Sequence, residues 1–495
     1  MGEPLLLALD QGTTSTRAIL FDRDGSPLTT ASRPLRQSYP QDGWVEHDAE
    51  EIYAASVAVL REAVETSGRD VADIAAIGVT NQRETVVIWD KDTGRPIHPA
   101  IVWQDRRTAD LVGTLRQQGV EESVREKTGL GLDPYFSSSK LLWISQNEPE
   151  IWSEVVAGSL AIGTIDSYLV ARLSGGASHI TDASNASRTQ LMNISTGEWD
   201  SELLEIFNVP VSALPTIVPN YGELAESAAE EFLGINAKIT GMAGDQQAAL
   251  FGQAGFEAGD NKCTYGTGAF ILQNTGSKRV ASTHGLLTTI AWQTPDGTLT
   301  YALEGSVFVA GSAVQWLRDG LQVIDSSPEI NPLAESVEDS GGVVFVPALT
   351  GLGAPQWDPE ARGTIFGLTR GTTKAHLARA TLEALAFQVR GVVDSIVKDA
   401  GQDLRSLRVD GGAAASNLLL QTQADCLGIP VLRGENLAAT GLGAAMLAGL
   451  GAGIWKDFDA LRDVFSLDRE FRPLPFDESR YARFNKAIEL TRLFK

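Results

Sequence analysis

Leu5-Leu-Leu-Ala-Leu-Asp-Gln-Gly-Thr-Thr-Ser-Thr-Arg-Ala-Ile-Leu-Phe-Asp22 decides the fold, because its character returns at Lys262-Cys-Thr-Tyr-Gly-Thr-Gly-Ala-Phe-Ile-Leu-Gln273. Each is an apolar run entering a Gly/Thr-rich turn and leaving it as a second apolar run. Runs of five to six residues bounded by glycine suit strands of a β-hairpin, since a helix needs more length. Recurrence about halfway along the 495 residues predicts two domains of similar plan. There is no short-period repeat and no low-complexity linker. The boundary is expected near residue 250, giving domains 1–250 and 251–495, in line with the size at which single cores stop growing.

Working outward, helices alternate with strands. Asp48 can cap a helix starting at Ala49, with Glu51 placed to complete a capping box. Ile52, Ala55, Val59 and Ala63 supply its apolar stripe. Ala75–Thr80 and Val86–Trp89 read as strands, Asp92-Thr93-Gly94 as a turn, and Ser137–Gln146 and Lys374–Lys398 as helices. This mixture predicts an α/β architecture. Leu437–Trp455 has nineteen residues without a charge, close to membrane-spanning length, but five are glycine and six alanine. A buried helix packed closely through small residues is the reading that its weak hydropathy favours.

Composition narrows the function. Forty basic against sixty-three acidic side chains give a net charge of −23. That surface repels phosphate backbones and anionic headgroups, so no nucleic acid and no membrane insertion are expected. Cys263 and Cys426 stand far apart, which argues against a disulfide framework or zinc site and suits a reducing compartment. The start Met1-Gly-Glu-Pro4 lacks the pattern of a signal peptide, and a cytoplasmic location is expected.

Several turns could carry chemistry. In Asp10-Gln-Gly-Thr-Thr-Ser15 a glycine and hydroxyl residues offer N–H and O–H donors to phosphate oxygens, and Asp10 could hold Mg²⁺ directly or through water. An ordinary polar hairpin turn is the alternative. Tyr265-Gly-Thr-Gly268 is a second such turn. Asp410-Gly-Gly-Ala413, after the short strand Leu407–Val409, leaves room for a flat ligand such as adenine. No Gly-Lys pair occurs, so a Walker P-loop is excluded and a nucleotide must be held by hairpin turns. Arg83-Glu84 follows Asn81-Gln82 and equally suits a solvated surface pair. Trp103 opens Trp-Gln-Asp-Arg-Arg107 and suits a core position as well as a ligand contact; Tyr135 lies in a polar loop beside Pro134. Asp245, after Ile239–Gly244, could accept a proton or hold a metal, or could merely cap a helix. The histidines at 47, 98, 179, 284 and 376 form no ligand cluster, and no Gly-x-Ser-x-Gly elbow is present.

Taken together, Asp10–Arg17, Asn81–Glu84, Trp103–Arg107, Tyr135–Asn147, Gly244–Gln247, Tyr265–Phe270 and Gly363–Glu383 resemble the glycerol kinases, a branch of the carbohydrate kinases. The resemblance covers essentially the whole chain, and its Arg-Glu pair is similar to the glycerol branch rather than to the xylulose or gluconate kinases. It implies two actin-like ATPase domains of the ribonuclease H type with the active site in the cleft between them. It implies glycerol held by Arg83, Glu84, Tyr135, Asp245 and Gln246, with Trp103 and Phe270 against its C–H face. Asp245 would be the general base for in-line transfer from ATP. Thr13, Thr14, Ser15, Arg17 and Thr267 would meet the phosphates, with Mg²⁺ near Asp10; Gly311, Gln315, Gly412 and Ser416 would contact the nucleotide. A homodimer or homotetramer is the assembly implied.

Departures from the family pattern are informative. Ser416 stands where Gly-Gly-Ala-x-x-Asn has its amide, with Asn417 next, and keeps one hydrogen bond at best. Phe232–Lys238 lacks a Gly-Gly-Thr-Arg-like inhibitor loop and Tyr221–Gly241 has no histidine, so sugar-bisphosphate and phosphohistidine control are expected to be absent or altered. Two other readings stay open. One is a kinase for another polyol or sugar; the other is an actin-like ATP-binding module working by conformational change.

Overall fold

The fold comes from a computed structural model that describes residues 3–494. Its strands are β1 (Leu5–Gln11), β2 (Ser15–Phe21), β3 (Pro27–Pro34), β4 (Ile74–Asn81), β5 (Tyr221–Glu226) and β6 (Lys238–Gly244). After these come β7 (Asn261–Tyr265), β8 (Ala269–Gly276), β9 (Leu287–Gln293), β10 (Leu299–Val307), β11 (Leu407–Asp410), β12 (Val431–Gly434) and β13 (Leu467–Phe471). They form one sheet of order β5-β6-β4-β1-β2-β3 and another of order β9-β10-β8-β7-β11-β12-β13. Both expected hairpins are present, β1–β2 and β7–β8.

The two sheets share a plan. In the first, β1, β2 and β3 pair antiparallel, while β4 and then β6 lie parallel beside β1. In the second, β7, β8 and β10 pair antiparallel, while β11 and then β12 lie parallel beside β7. This duplicated order is the actin-like architecture. β1 shows why its sequence is continuously apolar rather than alternating. Leu5, Leu7 and Leu9 enter one core cluster and Leu6 and Ala8 another, so both faces are buried.

The helices that position the site are α1 (Ala49–Ser67), α2 (Ser137–Asn147), α3 (Asp245–Gly252), α4 (Gly311–Asp319), α5 (Lys374–Ala400), α6 (Asn417–Leu427) and α7 (Ala439–Gly451). Asp48 caps α1 by accepting from the N–H groups of Glu50 and Glu51. The return bond expected of Glu51 is not formed; the reciprocal arrangement occurs instead at α5, between Thr373 and His376. Covering α1 and α5 leave α3 and α7 sandwiched between the sheets. One core cluster joins Ala8 and Ile19, Phe251, Trp292 and Ala302, and Leu442, Ala445 and Met446.

Glycine makes that central layer possible. A Cβ on Gly443 would overlap the carbonyl oxygen of Ala248, and one on Gly252 would overlap that of Ala439, so α3 and α7 touch backbone to backbone. Gly78 and Gly241 let α7 settle on β4 and β6 in the same way. The uncharged stretch around 437–455 is therefore an internal helix of thirteen residues. Among the described residues no helix is long and apolar enough to cross a membrane. Gly443→Ala is expected to cost about 3 kcal/mol in chemical denaturation, at the upper end for overpacking. Gly113→Ala, where an added Cβ meets nothing within 4 Å, is the control and should be near neutral.

Candidate active site

Parallel pairing puts the carboxyl ends of β1, β4 and β6 on one edge of the first sheet, the edge where ligands of open α/β sheets gather. Asp10 lies near the end of β1, Arg83 and Glu84 just after β4, and Asp245 directly after β6. The second sheet does the same with the turn after β7, at Gly266–Gly268, and the turn after β11, at Gly411–Gly412. Two edges thus present two sets of turns.

Arg83 is the centre of the first set. Its side chain is 2% exposed, which excludes the solvated surface pair. The guanidinium donates to both carboxylate oxygens of Glu304 at 2.6 and 2.9 Å, to the Tyr135 hydroxyl at 3.3 Å and to Gln247 Oε1 at 3.3 Å. Its Nε lies 3.1 Å from Asp245 Oδ1. Glu84 pairs with Arg188 at 2.7 Å, and Arg188 also reaches Glu304 at 3.2 Å. Two guanidiniums thus share the buried carboxylates. Burial pushes the Glu304 carboxyl up, but Arg188 and Arg83 overcome it and hold the group down at about 2. At Glu84 burial wins, and its carboxyl is raised. Glu84 adopts φ +63°, a left-handed conformation uncommon outside glycine, and its carbonyl accepts from Ser137 Oγ at 2.9 Å.

An aromatic wall faces these charges. Trp103 meets Tyr135 and Phe270 edge-on, with ring centroids 5.5 and 6.2 Å apart. Tyr135 lies in the loop expected for it, but its side chain is buried; the ring turns inward between Trp103 and Phe136. Trp103 also donates its indole N–H to Thr13 Oγ1 at 2.9 Å, joining the wall to the first turn.

Asp245 is the partly open member, its side chain 29% exposed. It is the first helical residue of α3, and Gly244 is the cap. Its Oδ1 accepts from the Gln246 N–H at 2.7 Å and its Oδ2 from Gln246 Nε2 at 3.0 Å. Gln246, expected beside the substrate, is thereby committed to Asp245 through its amide nitrogen.

The turns of the second set interlock. The N–H of Gly266 donates to the Gly268 carbonyl at 2.9 Å, and the N–H of Gly311, opening α4, donates to the Gly266 carbonyl at 3.0 Å. A Cβ on Gly311 would come within 2.5 Å of that carbonyl oxygen, so glycine is required there. Gly411, with φ +86°, lies equally close to the Tyr265 carbonyl, and Gly412 is open to solvent. Thr14, Arg17, Thr267 and Gln315 are exposed, and Gly12, Thr13 and Ser15 half-buried. Ser416, expected at the nucleotide, is hydrogen-bonded within the protein. Its hydroxyl donates to Asn331 Oδ1 at 2.5 Å and caps α6 by accepting from Leu419 at 3.1 Å, while Asn417 binds Arg433.

Residues 5–252 match the N-terminal domain, and residues 261–452 the C-terminal domain, of the FGGY family of carbohydrate kinases. The chain belongs to the FGGY carbohydrate kinases. Among curated relatives, a protein named glycerol kinase from Bacillus velezensis is 51% identical over 496 residues, with 100% of each chain covered. One of the same name from Dechloromonas aromatica is 54% identical, covering 98% of this chain and 97% of the relative. A crystal structure of Plasmodium falciparum glycerol kinase with ADP superposes with a TM-score of 0.89 at 38% identity, over 99% of this chain and 98% of that one.

In this FGGY kinase a divalent cation fits beside Asp10. Burial raises the Asp10 carboxyl to about 6, Arg17 opposes that, and Asp245 adds to it. A neighbouring cation would relieve both the burial and the repulsion. Among the described residues no group of three His, Cys, Asp or Glu side chains is placed to hold a metal ion by itself. Most of the ligands would then come from phosphate and water, as suits a hard, hydrated cation. Because the folded protein holds this proton more tightly than the unfolded chain, ionising Asp10 destabilises the fold as pH rises from about 4 to 6. Asp10→Asn should therefore stabilise the ligand-free, cation-free protein by order 1–3 kcal/mol at about pH 8, with the gain gone by about pH 4. Turnover should fall in the same variant.

Three residues of this centre escaped the sequence reading. Glu304 carried a signal: it is the lone charge in the apolar strand Tyr301-Ala-Leu-Glu-Gly-Ser-Val307. Lys262 lay inside a quoted hairpin and was passed over. Arg188, in Asn185-Ala-Ser-Arg188, had no local signal.

Proposed function

We propose that this chain transfers the γ-phosphoryl group of ATP to a terminal hydroxyl of glycerol, giving sn-glycerol 3-phosphate. The observation that carries the reading is Arg83, fixed between Glu304 and Asp245 and facing the wall of Trp103, Tyr135 and Phe270. A three-carbon triol needs charged partners for its hydroxyls and an apolar surface for its C–H face, and this pocket supplies both. The two glycerol kinase relatives support the same substrate.

Asp245 is the general base of this mechanism. Arg83 and Gln246 orient its carboxylate, and the partly open side chain takes the proton as the substrate oxygen attacks phosphorus. The bond to the β,γ-bridging oxygen breaks in line and ADP departs. Phosphoryl transfer needs positioning and charge neutralisation more than covalent help. Thr13, Thr14, Ser15, Arg17 and Thr267 meet the phosphates, and Gly311, Gln315 and Gly412 the adenosine side. Mg²⁺ beside Asp10 supplies charge neutralisation when bound. Domains 1–250 and 251–495 close over both substrates and keep water from the γ-phosphoryl group. The resemblance further supports a cytoplasmic homodimer or homotetramer, which sedimentation velocity would test.

The deciding experiment is ADP release with Mg·ATP and a panel of glycerol, dihydroxyacetone, xylulose, ribulose and gluconate. Glycerol-dependent turnover well above the others is the expected result. Turnover on a sugar instead would discard the pocket assignment, and ATP binding without turnover would favour an actin-like module.

A further inference from the structure

Lys262 is fully buried at the start of β7, and its ammonium finds three acceptors. They are Gln246 Oε1, Thr264 Oγ1 at 2.9 Å and the Phe270 carbonyl at 3.3 Å. The acceptor on Gln246 fixes which way that amide faces. Its oxygen is turned to the ammonium, so its nitrogen must point to Asp245 Oδ2, where it lies at 3.0 Å. The chain of bonds therefore runs from ammonium to amide to carboxylate, each donor polarised by the one before it. Asp410 and Asp245 act on it as counter-charges, and Arg83 as a like charge. The same ammonium holds the backbone of Phe270, a member of the aromatic wall.

We infer that Lys262 is a positioning residue for phosphoryl transfer, acting through Gln246 to fix the carboxylate of Asp245 and through the Phe270 carbonyl to fix the wall opposite it. The inference rests on Asp245 being the base. Gln246 then has a job besides any contact with substrate: losing the orientation of the base lowers kcat, whereas losing a substrate contact raises the KM for glycerol. Lys262 belongs to the second sheet and Asp245 to the first, so the relay also ties the state of the base to the docking of the two sheets.

The test is a double-mutant cycle with Lys262→Met, Gln246→Leu and the pair, read as kcat and as KM for each substrate. Each single variant should lose roughly 10- to 100-fold in kcat, the scale of a misplaced catalytic group. KM for ATP should be unchanged, and the pair should be no slower than the worse single variant. Losses that multiply in the pair, or a Lys262→Met enzyme with normal kcat, overturn the inference. Should Lys262→Met fail to fold, Gln246→Leu decides, because it leaves the ammonium with Thr264 and Phe270; a rise in glycerol KM at normal kcat overturns the relay. Asp245→Asn run alongside separates the two failures: if it is inactive while Lys262→Met is normal, only the relay falls, and if it is active the base assignment falls.

Discussion

Asp245→Asn is expected to leave the protein folded and able to bind ATP but to slow glycerol phosphorylation by roughly 10²–10⁴, the range for lost acid–base catalysis. The substitution is nearly isosteric: its carbonyl oxygen can still accept from the Gln246 N–H and lie beside Arg83, while its NH2 meets the Gln246 side-chain amide donor to donor, so the residue keeps its place and loses its basicity. The loss should appear in kcat more than in either KM. ATP affinity from calorimetry and the denaturation midpoint are the controls. Near-normal turnover would remove Asp245 as the base and return attention to Asp10, another carboxylate at this sheet edge.

Arg83→Ala is the second large effect, and burial gives it two components. Arg83 bridges Glu304, whose side chain is fully buried, and Asp245. Without it, Glu84 and Glu304 keep only Arg188, and Asp245 loses its guanidinium neighbour. Breaking a buried pair by removing one partner typically costs about 3–5 kcal/mol, because the remaining charge is left uncompensated. The glycerol KM should rise on the order of 100-fold, the size of a lost charged hydrogen bond, with a much smaller change for ATP. Denaturation and steady-state kinetics read the two components separately. Acid titration gives a further check. The Glu304 carboxyl is held at about 2, below its ordinary 4.5, so its contribution to stability is complete above about 4.5 and is lost as pH falls toward 2. Glu304→Gln should flatten the stability curve across that window. An equal KM rise for glycerol and ATP in Arg83→Ala would make Arg83 structural only.

The sequence was legible wherever a local pattern carried the physics. Both hairpins, the helix beginning at Ala49, the strand leading into Asn81 and the helix beginning at Lys374 follow from apolar periodicity and turn chemistry, which act over a few residues. The small-residue helix near 437–455 was legible as buried for the same reason. Arg83-Glu84 and Tyr135 were singled out from the sequence, yet it could not distinguish a solvated pair from a buried one, because the groups packed around them include Glu304 and Phe270, more than 130 residues away. The bonding of Ser416 was not legible because its partner, Asn331, is supplied by another segment.

What the sequence by itself determined is the repeated strand–turn–strand unit, the α/β class, and the polar residue types that stand at the turns. These depend on side-chain periodicity and on the conformational freedom of glycine at turns. The tertiary structure alone decided which charges share one dry site. Parallel pairing brings Asp10, Arg83 and Asp245 to a single edge, and packing the second sheet against it delivers Glu304 and Lys262. Charge pairing falls off over a few ångströms and strengthens as water is excluded, so it is a property of assembled surfaces and leaves little trace along the chain.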